Sequence, residues 1–249
     1  RQAHTTLALS TSGRGFTAES TPQAPRTDRA DDQENTSMDF VNHMLFAFLA
    51  LFPILNPPAM SPIFLQLTAG VKDTERHYLA RMIGLYTFFL LTALLITGHW
   101  LLKLLGISIP VIAIAGGLLL FHTAWGMLGK KPKMSEAEQQ AMPQVTTDQA
   151  FYPLTLPLTA GPGSIAVTLT LVPPGPMLAL EPLTELLAVV AGIAMAGLSV
   201  FLFYRFSEVF MRRLGKTGAA TISQISAFIL LAIGVQIVWS GIKGLLQTL

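Results

Sequence analysis

The chain predicts an all-α integral membrane protein of six transmembrane helices, arranged as two inverted three-helix repeats with the first and fourth helices discontinuous. Three observations carry this expectation. Apolar residues make up 51% of the 249 residues and charged residues only 12%, with a mean hydropathy of +0.55, against about 25% charged in an ordinary soluble domain. The apolar residues gather into six long stretches that hold Asp, Glu, Lys or Arg only near their ends. Two of the stretches are interrupted by prolines, Pro53-Ile-Leu-Asn-Pro-Pro-Ala-Met-Ser-Pro62 and Pro157-Leu-Thr-Ala-Gly-Pro-Gly-Ser164, with Pro58 and Pro162 standing 104 residues apart.

Residues 1–37 are a different material. They are polar, with four Arg, five acidic residues and no sustained apolar run, and predict a disordered tail. Leu7-Ala8-Leu9 is too short for the apolar core of a signal peptide. Met38 stands just before the first apolar stretch, so residues 1–37 are expected to be an upstream extension. Cysteine is absent, which excludes disulfides, thiolate metal sites and cysteine nucleophiles.

A hydropathy window of about 19 residues places spans at 41–70, 82–102, 104–128, 151–173, 186–206 and 220–246. The first is too long for one straight crossing, because about 30 residues at 1.5 Å each reach about 45 Å against a hydrocarbon core of about 30 Å. A break at Asn56-Pro57-Pro58 yields half-helices from Asn42 to Leu55 and from about Ala59 to Ala69, with Gly70 as a stop. The fourth is expected to break at Ala160-Gly161-Pro162-Gly163. Residues 38–130 then form the first repeat, 131–150 a cytoplasmic linker and 151–249 the second repeat. Within the linker Ser135-Glu-Ala-Glu138 has the pattern of a capping box.

Basic residues set the orientation. Ten of the 16 Lys and Arg fall after the first and third spans and around the loop between the fifth and sixth: Lys72, Arg76, Arg81, Lys130, Lys131, Lys133, Arg205, Arg212, Arg213 and Lys216. The positive-inside rule places these loops in the cytoplasm and both termini outside. The same confinement to loops argues against nucleic acid as a partner, despite a pI near 9.0. Arg205 and Glu208 are spaced to pair on one helix face. Gly116-Gly117, Gly192 with Ala196, and Gly241 with Gly244 predict helix-contact surfaces, open to packing between subunits of a homo-oligomer.

Aligning Pro58 with Pro162 makes each half a broken helix followed by two ordinary ones. Three crossings per half force the second half to enter the membrane inverted, the architecture of many secondary transporters. Further along, Trp125 pairs with Trp239 and His122 with Gln236, each 114 residues apart. His122 and Gln236 are thus candidates for gating or coupling, with an interhelical hydrogen bond as the plainer role. His99, beside Trp100, is expected at the interface.

The breaks carry the candidate substrate site: Asn56, Pro57, Pro58, Thr159, Ala160, Gly161, Gly163 and Ser164. A half-helix starting at a break aims free amides and the positive end of its dipole at the membrane interior. Two such ends would hold a carboxylate. Gly161 and Gly163 lack a Cβ and admit a ligand to the backbone, while Thr159, Ser164 and Asn56 supply hydroxyls and an amide. These groups suit a small zwitterion. The spans hold no buried carboxylate for a proton relay; sodium held by freed carbonyls and uncoupled exit both stay open, and no cofactor or metal is implied. Competing readings are a non-transporting scaffold or channel, and an intramembrane hydrolase with Ser164 as nucleophile and His99 or His122 as base. Ser164 lacks the glycine-serine elbow such an enzyme uses, so no enzyme is expected.

Asn56-Pro57 with Pro62 and Phe64, and Pro157-Leu-Thr-Ala-Gly-Pro-Gly-Ser-Ile165, resemble the two signature breaks of the MarC family of six-span bacterial inner-membrane proteins. Leu231-Ala-Ile-Gly-Val-Gln236 through Gly241-Ile242 resembles the family's last helix. The resemblance covers about residues 38–246, with Pro58-Ala59 replacing the family's usual aliphatic residue and glycine. It implies a multi-pass protein of the bacterial inner membrane that transports small neutral amino acids across the lipid bilayer.

Overall fold

The computed structural model describes residues 28–129, 147–172 and 180–247, and every regular element among them is helical. In chain order these are α1 (Asp28–Leu55), α2 (Pro57–Leu67), α3 (Asp73–Leu105), α4 (Ile109–Gly129), a short 3-10 turn (Thr147–Gln149), α5 (Ala150–Thr159), α6 (Pro162–Thr170), α7 (Leu180–Arg205) and α8 (Ser207–Leu246). Five of the helices are long and apolar enough to cross a membrane, over Ser37–Leu55, Asp73–Gly98, Ile109–Leu128, Leu183–Arg205 and Thr217–Leu246. The chain is an integral, multi-pass, all-α membrane protein. Large apolar side chains cover its outside, among them Phe46, Leu49, Phe89, Leu118, Leu198 and Phe228, a surface that only hydrocarbon or another apolar partner can satisfy.

The start of α1 corrects one expectation. The helix begins at Asp28, inside the segment expected to be a disordered tail, and so runs well past Asn42. Once the apolar span is helical, adding residues at its end avoids the cost of a new nucleus, and Ala30, Gln33 and Glu34 are adequate helix formers. The capping-box residues Ser135–Glu138 lie outside the described residues.

Each break has a local cause. Asn56 takes a left-handed conformation (φ 46°, ψ 53°), which asparagine tolerates better than most residues, and Pro57 then starts α2 with its φ already helical. In the second half, Tyr152 and Leu156 adopt extended angles within α5, each directly before a proline. Steric clash with the proline ring pushes a preceding residue out of the helical region. The remaining bonds of α5 reach five residues along the chain: the Ala160 N–H donates to Thr155 O at 2.7 Å, and the hydroxyls of Thr155 and Thr159 donate to Ala150 O and Leu154 O. Gly161 is extended (φ −79°, ψ 174°), and Pro162 opens α6. Farther on, Gly106 (φ 68°) closes α3 with its N–H on Lys103 O, the left-handed stop usual for glycine.

Helices α3 and α7 cross at a pair of glycines, as do α4 and α8. A methyl built on Gly84 would lie 2.9 Å from Gly197 O, and one on Gly197 would lie 2.9 Å from Gly84 O. The same reciprocity holds between Gly117 and Gly234, at 2.7 and 2.9 Å. Each glycine also meets the residue four beyond its mate: Gly84 meets Phe201, Gly197 meets Phe88, Gly117 meets Val238 and Gly234 meets Phe121. The other glycines expected at contacts are used inside the same chain, Gly116 against Ala166, Gly192 against Met44 and Ala47, and Gly241 and Gly244 against Pro110.

Candidate functional site

The first break is short of donors. Asn56 is 2% exposed, its N–H donates to Phe52 O, and its carbonyl accepts from both Ala59 and Met60. Its side-chain Nδ2 is buried with no partner among the described residues, and so is Ser61 Oγ one turn later. Pro57 and Pro58 carry no N–H. The first turn of α2 therefore offers no free amide, which corrects the expectation that both breaks aim amides at a ligand. What the prolines free instead are acceptors. In a continuous helix residues 57 and 58 would donate to Pro53 O and Ile54 O, and the Ala59 N–H that would serve Leu55 O is turned to Asn56 O at 3.1 Å.

The second break keeps its donors. The Ser164 and Ile165 amides both bond Gly161 O, whereas the Gly161 and Gly163 amides find no acceptor among the described residues. The two glycines differ in kind. A Cβ on Gly163 would strike Leu120 Cδ2 at 2.5 Å, so that glycine serves the packing of α6 on α4. A Cβ on Gly161 would meet only Pro157 O at 3.5 Å, and its backbone angles suit any residue. Among the described residues nothing requires glycine at 161.

The hydroxyls beside this break have already given their protons to the backbone. Ser164 Oγ donates to Gly161 O at 2.8 Å, and Thr159 Oγ1 to Leu154 O at 2.7 Å. Each keeps lone pairs only, so both can accept but not donate. Ala160 is fully buried, as are Leu55 and Phe64 of the first half, and all three belong to one apolar core.

Tyr204 joins the halves and is the residue that sequence reasoning missed. It is buried, lies 2.9 Å from Thr159 Oγ1 through its hydroxyl and stacks on Phe64 with ring centroids 4.5 Å apart. Because Thr159 has spent its proton, Tyr204 must be the donor. The signal was a tyrosine inside a span with no interface partner of its own, placed one residue before a loop arginine.

The remaining candidates lie elsewhere. His122 and Gln236 are both exposed and share no hydrogen bond among the described residues, because α4 and α8 meet on the faces of Gly117 and Gly234 rather than theirs. Glu208 does not pair with Arg205, whose guanidinium sits 5.9 Å from the Phe206 ring centre. Glu208 instead binds Arg76, 132 residues away. Arg76 further donates to Thr68 O, Val71 O and Asp73 Oδ1, so one guanidinium ties the end of α2 and the start of α3 to the start of α8. At the opposite end of α7, Glu185 lies 3.4 Å from His43 beside a cleft of about 360 Å³ lined by α1, α7 and the end of α6. Among the described residues no cluster of metal ligands occurs.

Comparison with known proteins identifies the family. The model of the MarC family of integral membrane proteins matches residues 41–246. The UPF0056 membrane protein YvbG of Bacillus subtilis is 32% identical over 213 residues, 84% of this chain and 97% of its own. A UPF0056 membrane protein of Aquifex aeolicus is 36% identical over 203 residues, 81% and 92% of the two chains. The UPF0056 inner membrane protein MarC of Citrobacter koseri is 30% identical over 227 residues, 85% and 99%. No solved structure matches. The two proline breaks, the helical membrane bundle around them and the extent of these matches place the chain in the MarC family.

Proposed function

We propose that this protein is a secondary transporter of small neutral amino acids, working by alternating access of two inverted three-helix repeats around the breaks at Asn56 and Gly161. The observation that carries the reading is the second break, where the Gly161 and Gly163 amides stand without acceptors among the described residues and Gly161 is a glycine that the packing around the break does not need. A buried donor left unpaired, as at Gly163, is costly, and a carboxylate at a helix N-terminus satisfies it. The reciprocal glycine contacts support the inverted repeats. In a two-fold arrangement residue i meets j and j meets i, which is the pattern at Gly84 with Gly197 and at Gly117 with Gly234. The segment α5–α6 supplies the sixth crossing. On this reading the cleft beside Glu185 faces the periplasm and Arg76 the cytoplasm, both termini are periplasmic, and the membrane is the bacterial inner membrane.

Uptake of labelled glycine, alanine and serine into liposomes, under sodium and proton gradients and without them, tests the proposal. Saturable uptake is expected, falling at least about tenfold in Gly161→Val, whose side chain fills the approach to the amides; that is about 1.4 kcal/mol of lost interaction. Gly126→Ala, where an added methyl meets nothing within 4 Å, should transport normally. Absence of saturable flux under every gradient would overturn the amino-acid assignment.

A further inference from the structure

We propose that the two breaks are chemically opposite ends of one binding site, the first holding a monovalent cationic group and the second a carboxylate. This rests on the transport reading above and goes further by assigning each charge to a break. The argument starts from the prolines. Pro57 and Pro58 leave Pro53 O and Ile54 O without their helical donors, and the turn at Asn56 takes the Ala59 N–H away from Leu55 O. Three consecutive carbonyls at the C-terminal end of α1 are left as acceptors, with the negative end of a long helix dipole behind them. No free backbone donor opposes them in the first turn of α2. Ser61, fully buried with a hydroxyl that has no partner among the described residues, adds an oxygen in the next turn.

The second break is the reverse. Helix α6 is regular and presents its N-terminus with two free amides, while the peptides of α5 are misaligned by extended residues at Tyr152 and Leu156 and sum to little dipole. The free backbone donors thus lie at the second break and the orphaned carbonyls of an ordered helix end at the first. Three carbonyls with the Ser61 hydroxyl oxygen suit an ammonium group or a sodium ion, cations that oxygen ligands satisfy. Both sources share this chemistry, and the measurement separates them.

The test is calorimetric binding to purified protein, with alanine, propionate (no ammonium) and ethylammonium (no carboxylate) as separate probes, each in sodium chloride and in choline chloride. Pro57→Ala and Pro58→Ala each restore one amide to an orphaned carbonyl. They are expected to weaken ethylammonium at least about tenfold and leave propionate within about twofold. Gly161→Pro removes one amide at a φ proline can adopt, and is expected to do the opposite. If the cation is sodium, ethylammonium does not bind, alanine binds only in sodium, and the proline variants lose that dependence. Equal loss of propionate and ethylammonium in both kinds of variant, or losses in the reversed sense, would overturn the assignment. Should wild-type protein bind no amino acid, the transport reading fails separately. Sodium-specific thermal stabilisation present in wild type and lost in Pro58→Ala would then uphold the cation end, and its absence in wild type would refute it. The two prolines are tested singly, so misfolding of one leaves the other decisive.

Discussion

Arg76 is 7% exposed, and a guanidinium so placed must find acceptors or destabilise the fold. It finds four, two on the turn that follows α2 (Thr68 O and Val71 O), one on α3 and one on α8. Glu208 is the only one of them from the second half. A fully buried pair broken on one side costs about 3–5 kcal/mol. The Glu208 side chain is 50% exposed, so water screens part of the interaction, and Glu208→Ala is expected to cost about 1–2 kcal/mol. Arg76→Lys should cost a similar amount despite keeping the charge, because an ammonium cannot reach acceptors spread around a planar fork. Thermal unfolding in detergent measures both; a Lys variant as stable as wild type would mean that charge alone matters here. Tyr204→Phe probes the other link between halves. It keeps the stack on Phe64 and removes only the proton given to Thr159, an expected loss of about 1 kcal/mol, whereas Tyr204→Leu forfeits the stack as well and should lose about 2–4 kcal/mol. Neither residue's role was legible beforehand. Arg76 reads from the sequence as a topological charge and Tyr204 as part of an apolar span, since their partners are distant in the chain and only the fold brings them together.

At the scale of elements, the breaks were legible because their causes are local. Proline lacks a donor, asparagine accepts a left-handed turn, and the residue before proline avoids the helix; each can be stated without knowing what the helix packs against. The use of the glycines was not local. Gly84 and Gly197 lie in the middle of apolar spans and show their function only through each other, and stripes that suggested subunit contacts are used up within the chain. Their packing predicts a contrast. Gly84→Ala would drive a methyl to 2.9 Å from a backbone oxygen that cannot rotate away, so α3 and α7 must separate, at about 1–3 kcal/mol. Gly126 lies on the same kind of helix with open space around it, and Gly126→Ala should stabilise by about 0.5–1 kcal/mol through helix propensity. If Gly84→Ala is as stable as wild type in chemical or thermal unfolding, the α3–α7 crossing is looser than the glycine pair requires.

For the whole molecule the open question is whether α5–α6 crosses the bilayer or turns back. Among the described residues five helices have the length and apolarity to cross unaided, and five crossings would leave the two ends of the chain on opposite sides. Ala150 to Thr170 covers 21 residues in two pieces, which a regular helix would stretch to about 30 Å, so the segment is long enough on paper but its irregular first part shortens its reach. The contacts favour a full crossing. In a turn-back arrangement α7 would run parallel to α3, whereas the mutual contacts of Gly84 with Gly197, each also meeting the residue four beyond its mate, fit two helices that run in opposite directions. Because the chain has no cysteine, single cysteines can report sidedness directly. With a full crossing, a membrane-impermeant thiol reagent added to intact cells should label Ser108→Cys and Gln247→Cys and spare Lys72→Cys and Gln149→Cys until the membrane is permeabilised. Labelling of Ser108→Cys without Gln247→Cys would mean that α5–α6 returns to the side it came from, which would remove the second half's inversion and, with it, the alternating-access reading built on two opposed repeats.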